Sequence, residues 1–200
     1  MTAILRYGMD SRDVEDLQRR LNCFNPTRLP RLNPDRKYGV LTMARVMEFQ
    51  FQQGLGVDGI AGPNTLGRLS GGPSNCPVPV PAQGRCIVVD LINGKLIAFK
   101  NGTAELRISP IAGGSASDPS DRGVFPMSSR RLRHHTSSQF PIPPGNMDFS
   151  LFYNGGEAIH QGPPTVPSHG CIHVGPPFAQ QVFNWAGQFD VLVIVVKLRP

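Results

Sequence analysis

Residues 158–174 read AIHQGPPTVPSHGCIHV, and within these seventeen positions stand His160, His169, Cys171 and His173. Imidazole and thiolate are donors that zinc prefers, so the group could hold a metal. Ligands at alternate positions are nevertheless unlike the C-x-x-C or H-x-x-x-H spacings of common sites, and no second ligand cluster accompanies them. A buried strand is another reading, because a free cysteine packs as a small hydrophobe. Three imidazoles near one thiol fit it poorly. The remaining reading is a nucleophile with its base, which asks for a thiol, a neighbouring imidazole and backbone N–H groups aimed at a developing oxyanion. Cys171 supplies the thiol. His160, brought back by the Pro/Gly-rich stretch after it, is the better base, and His169 lines the site. Gly170 lets the backbone turn closely beside the cysteine. Taken as a strand, 168–174 would set residues 169, 171 and 173 on one face and Ile172 and Val174 on the other.

The elements that must position these groups change period along the chain. In the first 70 residues, Val14, Leu17 and Leu21 form one helical stripe, with Asp10 or Ser11 suited to cap it. Met43, Val46, Met47 and Phe51 form a second stripe, which Gly54 ends. Gly62-Pro63-Asn64-Thr65 announces a short third helix with Leu66 and Leu69 on its apolar side. Residues 71–84 have the proline and glycine content of a stiffened linker. Beyond it the period becomes 2: CIVVDLI, KLIAFK and TAELRI read as three strands joined at Asn93-Gly94 and Asn101-Gly102, two tight hairpins. VLVIVV near the C-terminus suits a central strand, whereas residues 113–150 read as long loops. The expected architecture is α+β in two domains, 1–70 a three-helix bundle and 85–200 mainly β, sandwich- or barrel-like.

Composition narrows the partners. The chain carries a formal charge of +6, but residues 1–75 and 76–200 each hold ten Lys/Arg and seven Asp/Glu, so no basic arm or face stands out. With only 17% charged residues and no arginine-rich helix, nucleic acid is not an expected partner. No stretch approaches the roughly 18 apolar residues of a membrane span, and the first residues show no secretory leader. Four cysteines are too few for a disulfide scaffold, although Cys76 and Cys86 could bridge the proline-rich joint.

SHGCIHV, the upstream AIHQG, the hairpin pattern VVDLINGKLIAFKNG and the segment PSDRGVFP together resemble the L,D-transpeptidase (YkuD-type) catalytic domain over about residues 85–197. DVEDLQRRLN and MARVMEFQFQQGLGVDGIAGPNTLGRL resemble the three-helix peptidoglycan-binding domain. The resemblance implies a cysteine acyl-enzyme acting on tetrapeptide stems of peptidoglycan. Cys171 would be the nucleophile, His160 the base, and His169 with the Gly170 and Cys171 amides the oxyanion donors. Ser168, His173, Tyr153 and Gln161 would line the substrate site. No cofactor and no metal are implied, and carbapenems are expected to acylate Cys171. Two departures stand out: His160 and Cys171 are only eleven residues apart, and His173 occupies the place of an arginine, leaving a cation that titrates near neutrality. The site of action would be periplasm or cell wall. The short spacing and leaderless start also resemble transpeptidase-like effectors of type VI secretion, for which a cognate immunity protein would be a partner. The rivals are a wall-binding module without catalysis and a zinc protein.

Overall fold

In the computed structural model, residues 4–24, 26–72, 81–138 and 146–198 are described. The chain divides into two compact units, Met1–Cys86 with Phe99–Thr103, and Ile87–Ala98 with Ala104–Pro200. Positions 73–80 of the expected linker, Cys76 among them, lie outside the described residues.

The helical unit holds α1 (Arg12–Asn22), α2 (Val40–Gln52) and α3 (Pro63–Ser70). Ser11, not Asp10, caps α1: its Oγ accepts from the Val14 amide at 3.2 Å. Val14, Leu17 and Leu21 are buried as their spacing predicts, and Met43, Val46 and Met47 join them from α2. Phe51 departs from its expected stripe and is 41% exposed, because Phe49 turns inward in its place. Of the apolar pair expected on α3, Leu69 is buried and Leu66 half-buried.

Two buried glutamines hold the loops of this unit by the same device. The Gln18 Nε2 donates to the Asp35 carboxylate, the Lys37 carbonyl and the Thr42 hydroxyl, while its Oε1 accepts from the Asp35 and Arg36 amides. The Gln50 Nε2 donates to Asp58, the Ile60 carbonyl and Thr65, and its Oε1 accepts from the Asp58 and Gly59 amides. Each aspartate is followed by Gly and Thr at the same offsets, in DRKYGVLT and DGIAGPNT. The unit is an internal repeat in which a buried side-chain amide, fully hydrogen-bonded, fixes a loop against a helix.

Among the described residues, ten strands, most of them wholly in the second unit, form two five-stranded sheets. One sheet has β1 (Arg85–Asp90), β2 (Lys95–Lys100), β3 (Thr103–Ile108), β5 (Gly123–Pro126) and β10 (Val191–Val196), in the order β3-β2-β1-β10-β5. Every residue of β10 is buried, consistent with its unbroken apolar run and interior place. Asn101 and Gly102, both at positive φ, make the tight turn expected between β2 and β3. The turn before β2 is longer than expected: Asp90 accepts from the Ile92 and Asn93 amides and organises residues 91–94.

The other sheet runs β4-β9-β8-β7-β6, from β4 (Ile111–Ala112), β6 (Arg131–Leu132), β7 (Ser150–Asn154), β8 (Glu157–Gln161) and β9 (Ile172–Val174). Residues 113–150, expected as loops, thus contribute β5, β6 and the first residue of β7. β5 is four residues long and includes Gly123 and Pro126, and β6 is two residues long, so their composition resembles loop. Ile87, Val89, Val193 and Val195 of the first sheet share one core with Leu151, Ile159 and Ile172 of the second. Helix α4 (Phe178–Ala186) adds Ala179, Val182 and Ala186 to it. Trp185 packs at the edge of this core, its indole N–H donating to Glu105 at 2.7 Å.

Candidate active site

The site is made by one unusual strand pairing. β8 and β9 run parallel with Ile159 opposite Ile172, His160 opposite His173, and Gln161 opposite Val174. Only residues 162–171 connect them, so the chain returns without the helical crossover that parallel neighbours normally use. The register sends Ile159 and Ile172 into the core and leaves His160 and His173 together on the opposite face, ring centroids 5.0 Å apart. Cys171 enters just before β9 and packs beside Ala158 on that same face. An eleven-residue separation thereby becomes a diagonal neighbour relation across two adjacent strands.

The strand expected over 168–174 begins only at Ile172. Residues 169–171 bend, with Gly170 at φ +108, a conformation that other residues rarely adopt. Ser168 anchors the bend: its amide donates to the Gly113 carbonyl, its carbonyl accepts from Ser115, and its hydroxyl donates to the Cys171 carbonyl. Ser168 is therefore a buried strut within the loop that carries Cys171 as well as part of the cavity wall.

Cys171, His160, His169 and His173 all face one cavity of about 450 Å³, together with Glu157 and Ser168. The Cys171 Sγ is directed at the Gly156 carbonyl, 3.8 Å away. Burial raises its thiol pKa, the Ala158 amide opposes that rise, and the charge of Glu157 adds to it. The His160 Nδ1 lies 2.8 Å from the Gln161 carbonyl, which fixes Nδ1 as the protonated nitrogen and leaves Nε2 as the proton acceptor. Burial pushes its pKa down to about 4, with the Gln161 carbonyl opposing and His173 and His135 reinforcing. Thiol and imidazole are both neutral at neutral pH.

His173 stands in the place of the expected arginine, with its ring centroid 5.0 Å from that of His160. Its Nδ1 lies 3.0 Å from the Val166 carbonyl, and burial lowers its pKa. It braces the 162–168 connection as a neutral ring, and Gly162 passes so close that a Cβ there would stand 2.7 Å from the imidazole. Gln161 contributes its backbone carbonyl to His160, and its side chain is not part of the cavity wall. Tyr153 is likewise not part of that wall. It is buried in the sheet core against Phe125, ring centroids 5.5 Å apart.

Among the described residues, no three of His, Cys, Asp and Glu converge to hold a metal ion. Cys86 is a free, fully buried thiol and Cys23 is disulfide-bonded, so the Cys76–Cys86 bridge does not form. The sequence reading overlooked Glu157. Its carboxylate accepts from the Asp121 amide at 2.8 Å and from the Asn154 side chain at 3.0 Å, beside Gly170 and Cys171. A lone acidic residue after a Gly-Gly turn gives no hint in sequence that it faces a thiol.

The second unit is a two-sheet α+β domain that carries cysteine and histidine on one cavity face, and a helical unit precedes it. Residues 84–195 match the L,D-transpeptidase catalytic domain family, and residues 10–69 match a peptidoglycan binding domain. The chain belongs to the L,D-transpeptidase (YkuD) family. In fold it is similar to an L,D-transpeptidase from Stackebrandtia nassauensis, at 20% identity and a TM-score of 0.53, covering 98% of this chain and 96% of that one. An L,D-transpeptidase from Mycobacterium smegmatis is similar over 58% of this chain and 60% of that one, at 20% identity and a TM-score of 0.50. No curated protein matches the sequence. No helix among the described residues is long and apolar enough to cross a membrane.

Proposed function

We propose that the protein is a cysteine-dependent peptidoglycan L,D-transpeptidase in which Cys171 attacks the carbonyl of the diamino acid at the third position of a tetrapeptide stem. The observation that carries the reading is the β8–β9 register, which sets Cys171 and His160 on one cavity face with His160 oriented by the Gln161 carbonyl. Because both groups start neutral, the reaction begins with general-base assistance rather than from a standing thiolate–imidazolium pair. His160 Nε2 takes the Sγ proton as sulfur bonds to the carbonyl carbon, and the oxyanion meets the Gly170 and Cys171 amides and His169. Collapse breaks the C–N bond, the terminal D-alanine amine leaves with the proton from His160, and a thioester remains on Cys171. An amine from a second stem then gives a 3-3 crosslink. A free D-amino acid gives exchange, and water gives L,D-carboxypeptidase action.

Residues 1–70 would hold the polymer and 85–200 carry out the reaction, with 71–84 joining them. Incubating the protein with purified sacculi and identifying muropeptides by mass spectrometry tests the reading. New 3-3 crosslinked or trimmed stems are expected with the wild type and none with Cys171→Ala; unchanged muropeptides would instead support the wall-binding module without catalysis. The acceptor that prevails is read from the same digest. A role as an antibacterial effector, with periplasm as the site of action and an immunity protein as partner, makes a separate expectation. Expression directed to the periplasm should then be toxic, and toxicity should need Cys171.

A further inference from the structure

The cavity carries a carboxylate that the proposed reaction does not use. Glu157 opens β8 directly after the turn from β7, and its side chain is held from two sides by the Asp121 amide and Asn154. Asn154 also donates to the Asp121 carboxylate at 2.8 Å, so the orientation of Glu157 is tied to the segment before β5. An ideal Cβ on Gly170 would stand 3.2 Å from Glu157 Oε1, which places the carboxylate against the nucleophile bend. A negative group there opposes both a thiolate and a tetrahedral oxyanion, so its presence calls for a cation that arrives with the substrate.

Among the described residues that line the cavity there is no lysine or arginine. His160 on β8 and His173 on β9 are held neutral by burial. His169 lies on the same bend as Cys171. Asp121 adds further negative charge, and Tyr153 from β7 adds none at neutral pH because burial raises its hydroxyl pKa. Arg130, ahead of β6, lies over the Phe152 ring at 4.0 Å and contacts His135.

We propose that Glu157 is a specificity determinant that selects donor stems bearing a free side-chain ammonium. This rests on Cys171 being the nucleophile. The residue attacked is a diamino acid, so its side chain springs from the carbon next to the reacting carbonyl and keeps its amine tethered near the sulfur. Pairing that amine with Glu157 neutralises the opposing charge at the moment it matters. A stem whose amine is already acylated cannot do so, and unlinked stems are thereby preferred as donors.

The test uses the full chain and two thiol reagents of opposite charge at low ionic strength, 2-aminoethyl and 2-sulfonatoethyl methanethiosulfonate. Each forms a mixed disulfide with Cys171 and releases methanesulfinate, followed by peptide mass mapping. The wild type is expected to favour the cationic reagent by about tenfold, the size of effect a unit charge several ångströms away produces in a half-buried site. Glu157→Gln should remove the preference and Glu157→Asp should keep part of it. In parallel, D-alanine release from stems with a free side-chain amine should exceed that from N-acetylated stems, and Glu157→Gln should narrow the gap. A charge preference that survives Glu157→Gln, or one that Glu157→Asp loses as fully as Gln, overturns the inference. Its failure is distinct from that of the transpeptidase reading, which falls if Cys171→Ala still releases D-alanine.

Discussion

Cys86 and Cys171 are both free thiols whose pKa is raised by burial, yet they sit in opposite circumstances. Cys86 lies in β1, without solvent exposure. Cys171 lies one residue before β9, open to a cavity, next to a glycine at positive φ and diagonal to a neutral, oriented imidazole. A lowered thiol pKa therefore does not distinguish the proposed nucleophile from the buried cysteine. Access, a base of the right tautomer and a backbone able to bend toward an oxyanion do so.

The sharpest way to break the comparison is to remove each thiol. Cys171→Ala is expected to lower transpeptidation by about 10⁴-fold or more, as loss of a nucleophile does. Cys86→Ala should leave turnover intact and lower stability by on the order of 1 kcal/mol. Muropeptide turnover and denaturant unfolding check the two outcomes. His160→Gln should cost about 10²- to 10⁴-fold in turnover with little change in fold.

The pH profile sharpens the contrast between a buried base and a solvent-exposed histidine. His160 must be neutral to accept the thiol proton, and its pKa is pushed down to about 4. The acid limb of kcat/KM should therefore fall near pH 4; a limb near 6.5 would mean that the base is exposed. Stability follows the same sign, because the unfolded chain takes up a proton on this histidine between pH 6.5 and 4 while the folded chain does not. Stability should decline as pH falls through that window, which a series of thermal melts would record.

Gly170→Ala tests the bend. Forcing a side chain into φ +108, and against Glu157, is expected to cost about 1–3 kcal/mol and to lower Cys171 acylation more than it lowers secondary structure. The smallest effect lies far from the cavity: Ser11→Ala should lose about 1 kcal/mol of helix capping with unchanged acylation.

Legibility in sequence followed the range of the interactions. Asn101-Gly102 announces its hairpin because the turn chemistry is local, and VLVIVV announces a buried strand because every side chain faces core. SHGC reads as the start of a strand, whereas residues 169–171 bend and the strand begins only at Ile172. The parallel β8–β9 register is not legible, since β9 is three residues long and its pairing is set by Ile172 meeting Ile159 across a connection of uncertain path. Gln18 and Gln50 carry no local signal of their role, since each is buried and holds a loop through five hydrogen bonds whose partners lie up to 24 residues away. Glu157 acquires meaning only when Gly170 folds against it. His173 is legible as a residue of the site, whereas its contact with the Val166 carbonyl, seven residues back on the connection, is not.

Trapping the acyl-enzyme tests the paired roles of Cys171 and His160 most directly. The protein would be mixed with a tetrapeptide stem without an amine acceptor, quenched within seconds, and mapped by peptide mass spectrometry while released D-alanine is counted. A thioester adduct confined to Cys171, formed with one D-alanine per adduct and formed far more slowly in His160→Gln, is the expected result. Release of D-alanine with no adduct on Cys171, or undiminished release by Cys171→Ala, would contradict it.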